Sequence, residues 1–321
     1  MPFTRIEGAS STASASTSVI SASVTFPVVA GGHQQVASAS MEPGGSSNFM
    51  IAAARLGLQV TALGVVGADP VGPMVLQLLA EAGVATAAVR VQAGGTTTVV
   101  NVFVDAGAQN VFVFAHGTGP QLALEPDWLA AIDGCAALMA WGYGLQEQRL
   151  RAPMLAALEY AHAQGVPVYF DPGPDLPDFE KLDVARILRC THTVLLTADE
   201  LPLLADGQSG TQAVATILSK GPALVCVKRG AAGSSTYTRN AVVAHSGYAV
   251  PVLDTTGCGD TFAAGFLYAA VHAWPAEQQA SLANAAGAAK AAKLGTGRQV
   301  PTLAEIQQLL HANGIALPWA P

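Results

Sequence analysis

Short apolar segments alternate with segments of helical periodicity through the middle of the chain. The segments at 136–141, 166–170, 193–196 and 223–227 are continuously apolar, which is typical of strands buried on both faces. Helical patterns separate them, so the sequence predicts a parallel sheet covered by helices on both sides. Helices are predicted at 46–57, 70–82, 147–164, 178–189, 210–219, 259–273, 276–293 and 302–312.

The N-terminal segment departs from this pattern. Residues 8–23 are rich in Ser, Ala and Thr and low in complexity, which alone is typical of a flexible segment. At Val24 the sequence changes to ordinary globular sequence. We therefore divide the chain into an atypical N-terminal segment, residues 1–23, and one α/β domain, residues 24–321.

A predicted hairpin precedes the alternating region. The strand-like segments 97–104 and 110–115 flank an Ala-Gly-Ala turn. Together with the residues before the first predicted helix, this hairpin could form a small sheet beside the main body. We expect such a β-sheet lid to be built from about 24–43 and 92–116.

Composition and charge narrow the classes of function. The chain has 321 residues, of which 51% are hydrophobic, and no apolar run approaches the ~20 residues that span a bilayer. The formal net charge of -7 gives no general attraction to nucleic acid or to anionic membranes. The cysteines form no C-x-x-C pair, which argues against a zinc site and against a disulfide framework. We expect a cytoplasmic protein with small-molecule partners and neither nucleic-acid nor membrane partners.

The segment DTTGCGDTF at 254–262 carries the most chemical information, and an Ala-rich helix follows it. Gly257 and Gly259 allow a tight turn, and the start of the helix presents free backbone N–H groups and a partial positive charge. Such a turn can bind an anion. Asp260 stands where it could take a proton from a hydroxyl held against that anion, as phosphoryl transfer to an alcohol requires. The structural alternative is an Asp that only caps the helix.

This segment resembles the D-T-x-G-A-G-D motif of the ribokinase-like, or PfkB, carbohydrate kinases. The resemblance implies a three-layer α/β/α sandwich with a mostly parallel central sheet. It also implies that Asp260 is the catalytic base and that the amides of Gly257, Cys258 and Gly259 form an anion hole. Cys258 replaces the usual Ala, and either a packing role or a redox-sensitive role is open to it.

Two further matches to the family concern metal ions. Asp254 and Thr256 match motif positions that lie near a monovalent-cation site, for K⁺, in many members. Glu200 matches the end of the N-x-x-E motif, whose Glu orders Mg²⁺-bound water and the phosphates, although Thr197 stands where the family has Asn. The structural alternative for Glu200 is a first-turn residue favoured by the helix dipole.

The resemblance extends to substrate and nucleotide positions. The segment GGSSN, followed by A-R-L-G, resembles the family's sugar-binding motif, and the loop after the strand at 223–227 resembles its nucleotide-side T-x-G-x-x-G loop. The implied substrate residues are Gly44, Gly45 and Asn48. The implied nucleotide residues are Lys228, Gly230, Gly233 and Asn284.

One family feature is missing near the N-terminus. The family has a V-x-G-x-x-x-x-D strand whose Asp holds two substrate hydroxyls, and the matching segment here, about Ser18–Val24, has Ser23 at the Asp position. Three explanations stay open: an unusual substrate, loss of catalysis with retention of the fold, or a non-native segment at 1–23.

The resemblance implies ATP- and Mg²⁺-dependent phosphorylation of a hydroxyl, with a primary alcohol favoured, on a sugar or related small molecule. The alternatives are a nucleoside kinase of the same family and a non-catalytic ribokinase-like binding protein. A homodimer through the lid is a further expectation from the family.

Overall fold

The computed structural model describes residues 9–12, 16–22, 24–174 and 182–319. Its strands are β1 (Ala9–Thr12), β2 (Ser16–Ala22), β3 (Ser38–Gly44), β4 (Val60–Gly67), β5 (Val84–Ala85), β6 (Val89–Gln92), β7 (Val99–Val104), β8 (Asn110–Ala115), β9 (Ala137–Trp141), β10 (Val168–Asp171), β11 (Thr193–Thr197), β12 (Leu224–Lys228), β13 (Ser234–Tyr237) and β14 (Val242–His245). Its helices are α1 (Ser46–Arg55), α2 (Val71–Glu81), α3 (Pro126–Ile132), α4 (Gly142–Gln146), α5 (Gln148–Ala163), α6 (Val184–Cys190), α7 (Leu201–Leu204), α8 (Gly210–Ser219), α9 (Cys258–Val271), α10 (Ala276–Ala291) and α11 (Leu303–Ala312).

The larger sheet has ten strands among the described residues. Its order is β14-β13-β12-β11-β10-β9-β1-β4-β5, and β6 also pairs with β4. The pairs from β12 to β5 are parallel, whereas β13 and β14 extend one edge in antiparallel pairing. The carboxyl ends of the parallel strands therefore meet at one edge, where α/β sheets place their ligands.

Helices cover both faces of this sheet because its central strands are apolar on both sides. In β9, Met139 and Trp141 pack into one hydrophobic cluster with residues of α1, α9 and α10. Leu138 and Ala140 pack into a second cluster with residues of α3, α5 and α8. This arrangement confirms the predicted three-layer sandwich. None of the helices in the described ranges could span a lipid bilayer.

A second, four-stranded sheet, which we call the lid, has the order β3-β2-β7-β8. The hairpin predicted at 97–104 and 110–115 forms β7 and β8, but the other boundaries differ from those expected. Residues 16–22, predicted to belong to an atypical segment, form β2, and the described residues of 24–37 contribute no strand.

The pairing of the N-terminal strands explains why the sequence pattern did not reveal them. β2 pairs with β3 and β7 along its length, and β1 lies between β4 and β9 in the main sheet. Main-chain hydrogen bonds to two neighbours define such strands, and small side chains give no hydrophobic alternation by which to recognise them.

Two sets of hydrogen bonds among the described residues connect the lid to the body. The buried carboxylate of Glu42 in β3 accepts a hydrogen bond from Arg298 Nε at 2.9 Å. Asn110 at the start of β8 donates to the hydroxyls of Thr255, at 3.2 Å, and Thr256, at 3.3 Å. The lid therefore lies directly over the DTTGCGDTF segment.

We predict that Gly44→Ala destabilises the lid. A Cβ at position 44 would lie 2.8 Å from Ser18 Cβ and 3.1 Å from Ser18 N, so the paired strands must separate. Overpacking of this kind costs about 1–3 kcal/mol. Thermal unfolding should show a lower Tm for Gly44→Ala, and the double variant Ser18→Gly/Gly44→Ala should recover part of the loss. A Gly44→Ala Tm equal to that of the parent would contradict this packing.

Candidate active site

A cavity of about 280 Å³ lies between the lid and the carboxyl ends of the central strands. The lid contributes residues of β2, β7 and β8, and the body contributes residues that end β10, β11 and β12 or begin α1 and α9. The residues that line it are Ser18, Gly45, Asn48, Thr98, Val100, Phe112, Phe114, His116, Trp141, Tyr143, Asp171, Gly173, Pro174, Thr197, Glu200, Lys228, Thr256, Gly257, Gly259 and Asp260.

The predicted anion turn forms the floor of this cavity. Gly257 has a φ of 78°, in the left-handed region that favours glycine, and a Cβ there would lie 3.2 Å from Asn48 Nδ2. Helix α9 begins at Cys258, so its first N–H groups lie beside the cavity. The sequence-predicted residues Gly257, Gly259 and Asp260 are thus brought together, with the positive end of a helix dipole behind them.

Asp260 in the first turn of α9 has a perturbed carboxyl group. Its Oδ2 accepts a hydrogen bond of 2.9 Å from Asn48 Nδ2. Burial raises the pKa of Asp260 to about 6, while the hydrogen bond from Asn48 opposes that rise. The charge of Asp171 raises this pKa further, whereas Lys228 lowers it. A carboxylate with such a pKa is a stronger base than an exposed Asp and is still mostly charged at neutral pH.

Asn48, which the resemblance implied as a substrate residue, also has partners within the protein. Its Nδ2 faces Asp260, and its Oδ1 accepts a hydrogen bond of 2.8 Å from Gly297 N. The side chain is buried and still lines the cavity. Its observed contacts orient the Asp260 carboxylate, which the sequence resemblance did not reveal.

A charged cluster lies at the carboxyl ends of three neighbouring strands. Lys228, at the end of β12, donates a hydrogen bond of 2.6 Å to Asp171, at the end of β10. Glu200 follows β11 and accepts a hydrogen bond of 2.7 Å from Thr197 N. A Cβ at position 259 would lie 3.4 Å from Lys228 Nζ, so this ammonium also approaches the anion turn.

The pKa shifts in this cluster follow from burial and mutual charge. Burial alone would lower the pKa of Lys228, but the charges of Asp171 and Glu200 outweigh burial and raise it above its ordinary value. Burial raises the pKa of Glu200, and the charge of Asp171 adds to that effect against the opposing charge of Lys228. The ammonium therefore stays protonated, and the carboxylates favour a further cation nearby.

Several cavity residues were not among those that the sequence suggested, and Asp171 and Ser18 are two polar examples. Asp171 directly follows the apolar strand at 166–170, and its position at the carboxyl end of a buried strand was the signal that could have identified it. Ser18 of β2 lines the cavity and lies against Gly44. Ser23, which the sequence suggested at the family's Asp position, lies outside the described residues.

Three predicted nucleotide residues do not line the cavity. Gly230 and Gly233 form the tight turn between β12 and β13, where Arg229 N donates to Gly233 O at 2.8 Å. Asn284 is buried in α10, and its Nδ2 donates to Ser234 Oγ at 2.8 Å and to Ala280 O at 2.7 Å. The amide hydrogens of Asn284 are therefore used within the protein, in a position that joins α10 to β13.

Comparison with known proteins establishes the family. Residues 11–303 match the sequence pattern described as pfkB family carbohydrate kinase. The chain belongs to this family. The predicted ATP-dependent carbohydrate kinase is thereby confirmed.

Individual relatives agree with this assignment. The kinase is 28% identical over 288 residues to probable fructokinase-4 of Arabidopsis thaliana, covering 84% of this chain and 88% of that protein. The structure of Arabidopsis thaliana ribokinase complexed with ribose and ATP has a TM-score of 0.80 and 22% identity, covering 95% and 98% of the two chains. A Burkholderia thailandensis nucleoside kinase in complex with inosine has a TM-score of 0.77 and 22% identity, covering 97% and 100%. The two structural likenesses concern the fold, which is ribokinase-like as predicted.

The residues of the cavity fit a magnesium ion that is held largely by phosphates and water. Among the residues that the structure describes, no group of three or more His, Cys, Asp or Glu is arranged to hold a metal. Mg²⁺ commonly binds through one or two carboxylates plus substrate phosphates. Glu200 and Asp171 would hold it in this kinase. Burial, together with the charge of Asp171, raises the pKa of Glu200, and a cation there would counter both effects.

The predicted monovalent-cation residues fit a separate ion poorly. Both carboxylate oxygens of the buried Asp254 accept main-chain hydrogen bonds, from Thr256 N at 2.8 Å and Gly295 N at 2.9 Å. The fully buried ammonium of Lys290 lies 3.3 Å from the Asp254 carbonyl oxygen. The carboxylate and the carbonyl oxygen of Asp254 therefore already have partners within the protein.

The buried position of Cys258 bears on its two possible roles. Burial raises the pKa of its thiol to about 12, and the charges of Asp254 and Asp260 act in the same direction. A thiolate is the reactive form of cysteine, and this environment disfavours it. The geometry thus favours the packing role for Cys258.

We predict that Asp260 titrates near pH 6 in the free kinase and that Asn48→Ala moves its pKa higher. Asn48 donates to the charged carboxylate, so its removal disfavours ionisation. Carboxyl ¹³C NMR should follow the titration, with Asp260→Asn identifying the signal. A carboxyl that titrates near the ordinary value of about 3.9 would contradict the proposed desolvation.

Proposed function

We propose that this kinase transfers the γ-phosphoryl group of ATP to a primary hydroxyl of a sugar or related small molecule, with Asp260 as the general base. The observation that carries the proposal is the placement of Asp260, whose pKa is raised to about 6, beside the glycine turn at the start of α9. An isolated helix cap needs neither the hydrogen bond from Asn48 nor a substrate-sized cavity. The site has both.

In the proposed reaction, the hydroxyl proton moves to the Asp260 carboxylate as the hydroxyl oxygen bonds to the γ-phosphorus. The bond to the bridging oxygen breaks, and ADP leaves with that electron pair. Charge accumulates on the transferred group, and the amides of Gly257 and Gly259, which line the cavity, would stabilise it, whereas the Cys258 N–H already donates to Thr255 O at 3.1 Å. Lys228 lies beside the same turn and adds a fixed positive charge.

Glu200 and Asp171 are the residues that would hold Mg²⁺, which would neutralise charge on the phosphates. These two side chains lie at the carboxyl ends of neighbouring strands and give that end of the cavity its negative charge. The short hydrogen bond between Lys228 and Asp171 keeps the Asp171 carboxylate aligned with its partner. Removal of the Glu200 carboxylate should therefore raise the concentration of Mg²⁺ needed for turnover. It should have a smaller effect on the acid limb of the pH profile.

The cavity walls favour a second candidate substrate class, the nucleosides. Aromatic rings line the lid side, where Phe114 stacks on His116 with centroids 6.2 Å apart, and the body side, where Trp141 stacks on Tyr143 at 6.3 Å. Flat apolar walls suit a base as well as a sugar ring. Ser18, which is uncharged, is a residue of β2 that lines this space.

A substrate panel separates these classes and the non-catalytic alternative. ADP formation from ATP and Mg²⁺ is measured in the presence of free sugars, such as fructose and ribose, and in the presence of nucleosides, such as adenosine and inosine. Stimulation by free sugars supports the first class, and stimulation only by nucleosides supports the second. Nucleotide binding without stimulation by any sugar or nucleoside would favour a non-catalytic binding protein.

We predict that Asp260→Asn lowers kcat by about 10²- to 10⁴-fold while ATP binding is retained, because only the proton acceptor is lost. The kcat/KM of the parent should fall below pH 6, since Asp260 accepts a proton only in its charged form. Steady-state assays and nucleotide-binding calorimetry measure the two effects. A variant with parental turnover would remove Asp260 from the base role.

Two expectations from the sequence stay predictions. A homodimer would use the lid, where β8 is an edge strand with Val111 and Val113 exposed. Sedimentation at several concentrations would detect it. The cytoplasmic location likewise awaits fractionation of cells.

A further inference from the structure

Lys290 is a fully buried lysine that the proposed mechanism does not use. It lies in the last turn of α10 with 0% of its surface exposed. Its ammonium donates hydrogen bonds to the main-chain carbonyls of Asp254, at 3.3 Å, and Lys293, at 3.0 Å. A buried ammonium is costly unless it is paired, so a position that retains one needs an explanation.

The surroundings of this amine offset part of the cost of burying its charge. Burial lowers the pKa of Lys290, and the charge of the neighbouring Asp254 opposes that effect in part. Lys290 lies in the last turn of α10, and the C-terminus of a helix favours a positive charge. Two carbonyl oxygens and a helix terminus together resemble the shell that a bare cation would require.

The ammonium joins the two loops that hold the anion turn. Leu253 N donates to Ala291 O at 2.8 Å, and Gly295 N donates to Asp254 Oδ2 at 2.9 Å. The Lys290 ammonium adds a further link between the end of α10 and the loop before α9, because it donates to the carbonyl of Asp254, the first residue of the DTTGCGDTF segment. The loop after α10 is also connected to Asp260, because Gly297 N donates to Asn48 Oδ1 and Asn48 Nδ2 donates to the Asp260 carboxylate.

We propose that the Lys290 ammonium is a built-in cation that positions the anion turn, so that this kinase needs no dissociable monovalent cation. The proposal rests on the proposed function in taking residues 257–259 as the turn that binds the transferred phosphoryl group. Lys290 is a positioning residue, because it acts through the Asp254 carbonyl rather than on the substrate. Its charge stands where the family resemblance implied K⁺.

The chemistry of the two acceptors supplies a direct test. Carbonyl oxygens are the ligands that K⁺ accepts in place of its hydration shell. If the ammonium acts as a cation, its removal leaves carbonyls that K⁺ or NH₄⁺ can bind. If the side chain only fills space, added cations have no site to restore.

The first arm uses the native kinase, with kcat and Tm measured in KCl, NaCl and tetramethylammonium chloride at equal ionic strength. We expect the same values in all three salts. A native kinase that requires K⁺ for turnover, or whose Tm rises specifically with K⁺, overturns the proposal. The Tm readout needs no substrate, so it decides the point even if the proposed phosphoryl transfer is not observed.

The second arm uses Lys290→Met, whose side chain is one heavy atom shorter, so that it removes the charge and vacates the position of Nζ. We expect kcat to fall roughly 10- to 100-fold in tetramethylammonium chloride, with a smaller change in KM, because the turn is displaced. K⁺ should restore part of kcat and raise the Tm of the variant in a concentration-dependent way. Loss of kcat that neither K⁺ nor NH₄⁺ restores would assign Lys290 to packing alone and overturn the proposal.

Lys293→Met is the matched control. It keeps the Lys293 carbonyl that accepts from Lys290 and removes only a partly exposed ammonium that pairs with Glu305 at 2.7 Å. We expect neither a K⁺-dependent kcat nor a K⁺-dependent Tm. The same K⁺ response in both variants would overturn the proposal. If Lys290→Met does not fold, the native kinase in the three salts decides alone.

Discussion

The hydrogen bond between Asn48 and Asp260 is the contact on which the rest of the candidate site depends. It joins the first helix to the ninth across 212 positions of the chain. Because Asp260 is enclosed, its charge is costly, and the Asn48 amide offsets part of that cost where water cannot. Asn48 itself accepts a hydrogen bond from Gly297 N. The positions of the Asp260 carboxylate, the first helix and the loop after α10 therefore depend on one another.

Charge balance sets the second requirement on the cavity. Asp171, Glu200 and Asp260 place three carboxylates around a space that the proposed reaction must fill with phosphates, and Lys228 opposes them with one ammonium. The helix N-terminus adds a partial positive charge without adding a titrating group. Phosphates therefore enter favourably only with a divalent cation, which agrees with the fit of Glu200 and Asp171 to Mg²⁺.

Sequence reasoning was strongest where local chemistry and hydrophobic period agree. Helices predicted at 259–273 and 276–293 are observed at Cys258–Val271 and Ala276–Ala291, because glycine and proline mark their starts and the periodicity fills them. The glycine turn could likewise be read directly, since its spacing restricts the backbone. The anion turn, Asp260, Lys228 and Glu200 all reach the cavity.

The features that could not be predicted depend on contacts between distant segments. β2 has no apolar period and exists through its two paired neighbours. Asn284 has a side chain that could bind a ligand, but its amide instead donates a hydrogen bond to Ser234, which lies 50 positions away in the sequence. Lys290 sits in an Ala-rich helix, where the pattern predicts a solvated lysine, and only the fold shows that its ammonium is buried.

The two sides of the cavity constrain the substrate in different ways. The side proposed to bind phosphate is built from main-chain amides and from charges that hydrogen bonds hold in place, such as Lys228 with Asp171, so it suits one chemistry. The lid side presents Ser18 and aromatic rings such as Phe112 and Phe114, which are partly exposed and carry no charge. A substrate recognised there gains more from stacking and shape than from a charged clamp on a diol, so the lid rather than the anion turn should determine which molecule is phosphorylated.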